Sequence, residues 1–115
     1  MEKRESVIST KGFLSFQILH ELKRDTLCGD DLATIIGGKK GNKLTPGTIY
    51  PVLKFLRKNK LVKHKKQGRK KFYSLTFDGE KEYIIVRENF LNIFSDIISQ
   101  PKKSRKSLNL FIRGD

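Results

Sequence analysis

Thirteen basic side chains lie between Leu32 and Phe77 with no Asp or Glu among them, and they are the strongest chemical signal in the chain. The other twelve basic residues balance the twelve acidic ones, so the whole net charge of +13 belongs to the middle of the chain. Such a region attracts a polyanion and repels a like-charged neighbour. A solubilising or heat-adapted surface usually mixes both signs. The charge pattern therefore favours nucleic acid as the partner.

Side chains that could carry catalysis or hold a metal do not form a recognisable constellation. His20 and His64 fall in different predicted elements, and Cys28, the single cysteine, has no histidine near it in the sequence. The carboxylates are confined to the two ends of the chain, so no acid–base pair or metal cluster emerges. We therefore expect no enzymatic activity, no cofactor and no metal site.

The cellular setting follows from equally simple features. One cysteine cannot form an internal disulfide, and MEKRESV lacks the apolar stretch that a secretory signal needs. No run approaches the roughly 18 apolar residues of a membrane span. We expect a single small domain, paired with a second subunit, in the reducing cytoplasm.

Two helices are predicted ahead of the basic centre. The apolar residues of GFLSFQILHELKR cluster on a broad helical face, which predicts a first core helix. DDLATII predicts a short second helix, with Gly29-Asp30 as its cap and Gly37-Gly38 at its end. The lysines and glycines of GGKKGNK suggest a phosphate-binding loop, but Asn42 stands where that motif needs its second glycine. We interpret this segment as a connection.

A third helix begins within LTPGTIYPVLKFLRKNKLV. Thr45 suits the N-cap, Pro46 suits the first helical position, and Gly47 allows a ligand such as a phosphate to approach the free N–H groups. Pro51 removes an interior hydrogen bond, at a cost of about 3 kcal/mol. Residues placed 100° apart give a buried stripe of Ile49, Val52, Leu53 and Leu56 opposite a basic, aromatic face of Gly47, Tyr50, Pro51, Lys54, Arg57 and Lys58. Such a face favours entry into the major groove of DNA over simple solvation.

After the third helix the apolar period changes from helical to alternating. LVKHKK and KKFYSLTF predict a basic β-hairpin with Gln67-Gly68-Arg69 as its turn. As a wing it would place four cations, Lys65, Lys66, Arg69 and Lys70, along the DNA backbone or the neighbouring minor groove. Phe72 and Tyr73 leave open a stacking surface for single strands. Tyr73 and Leu75 on one side favour a core role.

The last predicted helix follows Thr76, which suits its cap. Its apolar arc is too wide for one side of a small domain, so an exposed patch is expected, most simply for a second copy related by a two-fold axis. The alternative is a helix wrapped by its own domain. The predicted dimer interface comprises Tyr83, Val86, Phe90, Leu91, Ile93, Phe94, Ile97 and Ile98.

These motifs together resemble the PadR family of winged-helix transcriptional regulators over about Gly12 to Glu80. The resemblance is carried by TPGTIYPVL followed by GR-x-x-x-Y-x-LT. It implies a dimeric repressor with a carboxy-terminal dimerisation helix, whose TPGTIYP helix reads the operator and whose GR wing touches the backbone. Carried over by motif, the DNA contacts are Thr45, Pro46, Gly47, Thr48 and Tyr50, with Arg69 at the wing. Charge and helical face alone add Lys39, Lys43, Lys54 and Arg57.

The combined prediction is a mostly α fold with a small antiparallel β-hairpin. A winged helix-turn-helix occupies residues 1–76, a dimerisation helix 77–100 and a basic tail 101–115. The expected function is regulation of transcription, as a repressor, through sequence-specific binding of a homodimer to a palindrome in double-stranded DNA. Three alternatives stay open: a non-specific architectural nucleic-acid binder, a sensor with a small-molecule effector at the dimer interface, and a protein-binding winged helix. The sequence does not imply an effector.

Overall fold

The structure is a computed structural model that describes residues 10–39 and 41–99. Its elements are α1 (Thr10–Arg24), β1 (Leu27–Cys28), α2 (Gly29–Gly38), α3 (Pro46–Lys58), β2 (Val62–Gln67), β3 (Lys70–Leu75) and α4 (Phe77–Ile98). The chain divides into two compact units, one ending at Ile85 and the other beginning at Val86. The fold is mostly helical with a small antiparallel sheet, which confirms the predicted fold class. The predicted tail 101–115 lies outside the described residues.

The first unit is built around one hydrophobic core. α1, α2 and α3 each bury one apolar face, as their helical periodicity predicts. The predicted stripe of α3 is confirmed, since all four of its side chains are buried. The core side chains of these three helices are Leu14, Ile18, Leu19, Leu22, Leu32, Ala33, Ile36, Ile49, Val52, Leu53 and Leu56. None of the described helices is long and apolar enough to cross a membrane.

The sheet has three strands in the order β1-β3-β2, all antiparallel. The hairpin β2–β3 is confirmed with its predicted turn, in which Gly68 has a φ of 63°. β1 is an addition that the sequence did not predict, because a two-residue strand is too short to show alternation. Tyr73 and Leu75 are buried, which confirms their core role.

The start of α2 differs from the prediction. Its N-cap is Cys28, whose Sγ accepts a hydrogen bond from the backbone N–H of Asp31 at 3.4 Å, whereas Gly29-Asp30 was the predicted cap. Cys28 can do this because β1 ends there, so its backbone is already extended, with a φ of −85° and a ψ of 168°. The buried thiol therefore has a structural role.

The glycines of the α2–α3 connection serve a turn. Gly41 has a φ of 98°, which favours glycine. A Cβ at Gly37 would overlap the backbone oxygen of Asn42 and stand 2.5 Å from the backbone nitrogen of Leu44. The turn closes through Asn42 N–H to Gly37 O at 3.0 Å and Leu44 N–H to Ala33 O at 3.0 Å. This tight return brings α3 against α2.

The junction after α3 positions both the hairpin and α4. Lys60 has a φ of 60°, and the N–H of Leu61 donates to Leu56 O at 3.0 Å, which is the Schellman pattern of a helix end. The hydroxyl of Thr76 donates to Lys60 O at 2.7 Å and accepts from the N–H of Gly79 at 2.9 Å. Thr76 thus caps α4, as predicted, and ties its start to the end of α3.

Tyr83 was predicted to lie in the dimer interface, but the structure places it elsewhere. Its side chain is only 6% exposed and lies in the core of the first unit. The hydroxyl is 2.7 Å from Nδ1 of His20, and the ring stacks on Phe16 with centroids 5.6 Å apart. A wide apolar arc on one helix cannot reveal which of its members is covered by the same chain, so the sequence assigned Tyr83 to the wrong surface.

Candidate nucleic-acid interface

The outward face of α3 carries the predicted reading residues. All of Gly47, Tyr50, Pro51, Lys54, Arg57 and Lys58 are exposed, while the four apolar residues of the stripe are buried on the other side. The face has no carboxylate, because α3 contains none. It offers cations, one phenol and the backbone of the first turn to an incoming ligand.

The first turn of α3 is open to the outside. Thr45 is the N-cap as predicted, but its side chain makes no hydrogen bond to a backbone N–H and instead lies 3.0 Å from the hydroxyl of Thr48. A Cβ at Gly47 would meet nothing closer than Thr45 Oγ1 at 4.0 Å. The fold itself therefore does not require glycine there. The small residue leaves room for a group that comes from outside, such as a phosphate or a base edge.

Tyr50 is held by a close contact with α2. A Cβ at Gly29 would stand 2.5 Å from the Tyr50 hydroxyl oxygen and 2.6 Å from its Cε1. The tyrosine ring therefore lies directly against the first residue of α2, while its side chain remains 44% exposed. This contact was not predicted, since Gly29 was interpreted only as part of a cap. Gly29 fixes where the phenol points.

Lys39 and Lys43, both predicted to contact DNA, are engaged in ion pairs. Lys39 Nζ lies 2.7 Å from Oε2 of Glu21, whose side chain is buried on α1. Lys43 Nζ lies 2.6 Å from Oδ1 of Asp30, and both partners are exposed. Their hydrogen bond and mutual attraction lower the pKa of Asp30 and raise the pKa of Lys43. Each lysine is thus partly neutralised by a carboxylate next to it.

The basic residues of α3 and the hairpin differ from those two. In the part of the chain that the structure describes, no carboxylate lies within ion-pair distance of any of them. They are Lys54, Arg57 and Lys58 of α3 and Lys63, Lys65, Lys66, Arg69, Lys70 and Lys71 of the hairpin, and Lys60 in the junction between the two also has no such partner. None of them is therefore neutralised in an ion pair, although Lys70 is close enough to Asp30 to lower the pKa of that carboxyl slightly. Their positive potential suits attraction to phosphate.

The register of the hairpin divides its lysines between two faces. Lys66 pairs with Lys71, in line with His64 and Tyr73, on the inner face that packs towards the core. Of the other predicted contacts, Lys65 and Lys70 alternate onto the outer face, and Arg69 lies in the turn. Lys71 was absent from the predicted contacts. Strand alternation would have found it, once the register was known.

The inner face approaches the end of α3 at His64. Its ring is half-buried and meets Tyr73 edge-on, with centroids 5.4 Å apart. Burial lowers the pKa of His64, and the nearby charges of Arg57 and Lys71 lower it further. Arg57 of α3 and Lys71 of the hairpin therefore lie close to the same side chain. In residues 10–39 and 41–99 no cluster of His, Cys, Asp and Glu could hold a metal ion.

Comparison with known proteins agrees with this geometry. The PadR-like family of transcriptional regulators matches residues 18–84, which is more than half of the chain. No curated protein matches it significantly.

Several solved structures share the fold at low sequence identity. RosR from H. salinarum superposes with a TM-score of 0.65 at 20% identity, covering 88% of this chain and 90% of that one. A PadR-like transcription factor from B. fragilis gives a TM-score of 0.68 at 21% identity, over 76% and 88% of the two chains. A PadR family regulator from C. difficile gives 0.64 at 21% identity, over 77% and 97%.

Both the family match and the shared fold are consistent with a surface in which the exposed basic face of α3 lies beside a basic hairpin. The chain belongs to the PadR-like family of transcriptional regulators, which bind DNA and regulate transcription and are not enzymes.

Proposed function

We propose that this chain is a cytoplasmic, sequence-specific repressor that binds a palindromic operator as a two-fold homodimer. The observation that carries the proposal is the open, carboxylate-free face of α3 beside a hairpin whose cations have no carboxylate partner among the described residues. A helix of this kind enters the major groove, with its N-terminal residues at the base edges.

The division of labour follows from the positions of the side chains. Thr45 to Tyr50 occupy the first turns of α3, where base edges would be read. Lys66 and Lys71 project from the hairpin on the side of α3, where they would follow the phosphate backbone. The first group would supply sequence preference and the second would supply salt-dependent affinity.

The second unit supports pairing of two copies. Between Val86 and Ser99 most apolar side chains are exposed, and the rings of Phe90 and Phe94 stack with centroids 5.0 Å apart. An exposed apolar patch of this kind marks a partner. The proposed dimer interface is Val86, Phe90, Leu91, Ile93, Phe94, Ile97 and Ile98. A two-fold axis would place the two α3 helices in successive major grooves, about 34 Å apart.

Selection of bound sequences from random duplex DNA tests the proposal directly. We expect a palindrome with half-sites about one helical turn apart, bound about 10³-fold or more tighter than random duplex at fixed salt. Binding without sequence enrichment would identify an architectural protein instead. Placing the selected site across a promoter should reduce transcription in vitro, whereas an increase would contradict the repressor assignment.

Sedimentation of the full chain tests the dimer separately. Phe94→Glu puts a charge into the proposed interface and should give a monomer that binds one half-site weakly. Glu88→Lys, on the same segment but outside the proposed interface, serves as the control and should stay dimeric. A dimeric Phe94→Glu protein would place the interface elsewhere.

A further inference from the structure

The outer face of the hairpin presents a second basic surface, on the side away from the proposed phosphate contacts of Lys66 and Lys71. Two of its lysines, Lys65 and Lys70, were also predicted to contact DNA. This face contains the cross-strand pairs Lys63–Ser74, Lys65–Phe72 and Gln67–Lys70. Together with Thr26 beside β1 and His64 of the inner face, side chains of this face line a groove of about 660 Å³. That volume is in the range of sites for small ligands. α3 packs towards the inner face of the sheet, and none of the residues that line the groove belongs to α3.

The groove combines an aromatic ring with basic and uncharged polar groups. Phe72 is half-buried and supplies an aromatic surface, while Lys63 and Lys65 are exposed at its margin. Neither lysine has an ion-pair partner among the described residues, and the groove has no carboxylate lining. The hydroxyls of Thr26 and Ser74 and the amide of Gln67 add hydrogen-bonding groups.

These groups match the parts of a nucleotide. An aromatic ring stacks on a base without regard to its identity, ammonium groups neutralise phosphate, and hydroxyl and amide groups bond to base edges. Phe72 has no evident task in the fold comparable to that of Tyr73, which is buried in the core beside it. Of the two neighbouring aromatic residues of β3, Tyr73 therefore belongs to the core and Phe72 to the surface.

We propose that this outer face binds a nucleotide unit, with the base stacked on Phe72 and the phosphate held by Lys63 and Lys65. The unit comes either as a free mononucleotide or as part of a single-stranded nucleic acid. No α3 residue lines the site, so the wing can hold such a ligand while α3 occupies duplex DNA.

Binding to the full chain is measured with AMP by calorimetry and with fluorescein-labelled oligothymidylates of two, five and ten residues by anisotropy. Affinity that rises with strand length while AMP fails to bind identifies single-stranded nucleic acid as the source. Tight AMP binding with no gain from length identifies the free nucleotide. Absence of binding by every one of these probes overturns the proposal.

Matched variants locate the site. Phe72→Leu keeps an apolar side chain but removes the ring, so affinity for the bound probe should fall about fivefold or more. Lys63→Gln should also weaken binding, and it covers the case in which Phe72→Leu does not fold. Lys81→Gln removes the same charge from α4 and should leave binding unchanged. Wild-type affinity in both Phe72→Leu and Lys63→Gln would refute the site.

Two competitors complete the design. Random duplex DNA at saturating concentration should leave the probe bound, whereas complete displacement would show that single strands merely use the duplex surface. A pentaglutamate peptide should displace it only weakly, since it has no base to stack, and equal displacement would reduce the site to a charge patch for acidic peptides. Duplex binding by Phe72→Leu is measured in parallel and should be unchanged, so the result separates this site from the proposed operator function.

Discussion

The junction between α2 and α3 and the wing are both basic, yet they hold their charges in opposite ways. At the junction Lys39 and Lys43 each contact a carboxylate, and Tyr50 lies against Gly29. On the wing no basic side chain has such a partner among the described residues. The junction therefore positions the reading helix, whereas the wing supplies positive charge that is not held in ion pairs. Changes at the junction should alter sequence preference or stability, and loss of the inner-face lysines of the wing should alter affinity for any duplex.

The largest effect should come from Tyr50→Ala. Loss of a side chain that reads base edges costs about 1–3 kcal/mol of discrimination, or roughly 5-fold to 150-fold in operator affinity. Affinity for random duplex should change little, because the cations remain. Competition binding with both duplexes at one salt concentration measures the difference. Equal losses on the two duplexes would remove Tyr50 from the reading surface.

Lys39→Ala should act on stability and hardly on DNA. It leaves the buried carboxylate of Glu21 without its partner, which should lower the free energy of unfolding by about 1–2 kcal/mol, a value reduced because Lys39 itself is half-exposed. Urea unfolding measures this change. Lys58→Ala, which removes an exposed unpaired lysine, should stay within about 0.5 kcal/mol of the wild type. If the two variants are equally stable, the Lys39–Glu21 pair does not position the junction.

Gly29→Ala tests whether the junction sets the direction of Tyr50. The added methyl group would overlap the tyrosine ring and push it away, so operator preference should fall several-fold while random-duplex affinity holds. Gly38→Ala is the matched control at the other end of α2, where a Cβ meets nothing within 4 Å. In a Tyr50→Ala background Gly29→Ala should have no further effect on preference. Additive losses would show that Gly29 acts independently of Tyr50.

Lys66→Ala should weaken operator and random duplex alike. Loss of one phosphate contact reduces the slope of log affinity against log salt by about 0.9. Lys71→Ala should do the same, because its side chain lies opposite Lys66 on the inner face. Titrations at four salt concentrations measure both slopes. A changed operator preference with an unchanged slope would mean that the wing reads sequence.

The smallest effect should be the pH dependence of stability that arises from His64 on the inner face of the hairpin. The pKa of His64 is lowered in the folded state, chiefly by burial, whereas the unfolded chain binds this proton near pH 6.5. Between the two values the unfolded state holds more protons, so stability should be full above about pH 6.5 and should decrease as the pH falls. His64→Gln should reduce the decrease in the free energy of unfolding as the pH falls below about 6.5, measured from unfolding curves at several pH values. If the pH dependence of the free energy of unfolding is unaltered in His64→Gln, burial of His64 does not contribute to it.

Much of the fold could be predicted from residue order alone. The buried stripe of α3, the hairpin turn at Gly68 and the cap at Thr76 were all recognisable, because each depends on neighbours a few positions apart. β1 was missed because two residues show no period. The Cys28 cap was missed because its extended backbone is imposed by pairing with β3.

The same distinction between local and long-range features applies to the candidate site. Helical spacing was enough to place Tyr50, Lys54 and Arg57 on one open face, and charge order alone located the positive region. The partners of Lys39 and Lys43 could not be found that way, since Glu21 is 18 residues from its lysine along the chain.

Residue order was enough to establish the helical and alternating patterns, the sign of the charge and the residues that face outward on α3, because these follow from local geometry. Three outcomes needed the folded chain: Tyr83 lies in the core, Gly29 supports Tyr50, and the hairpin lysines divide between two faces. Those outcomes depend on which distant segments pack together and in what register, and spacing along one chain carries no such information.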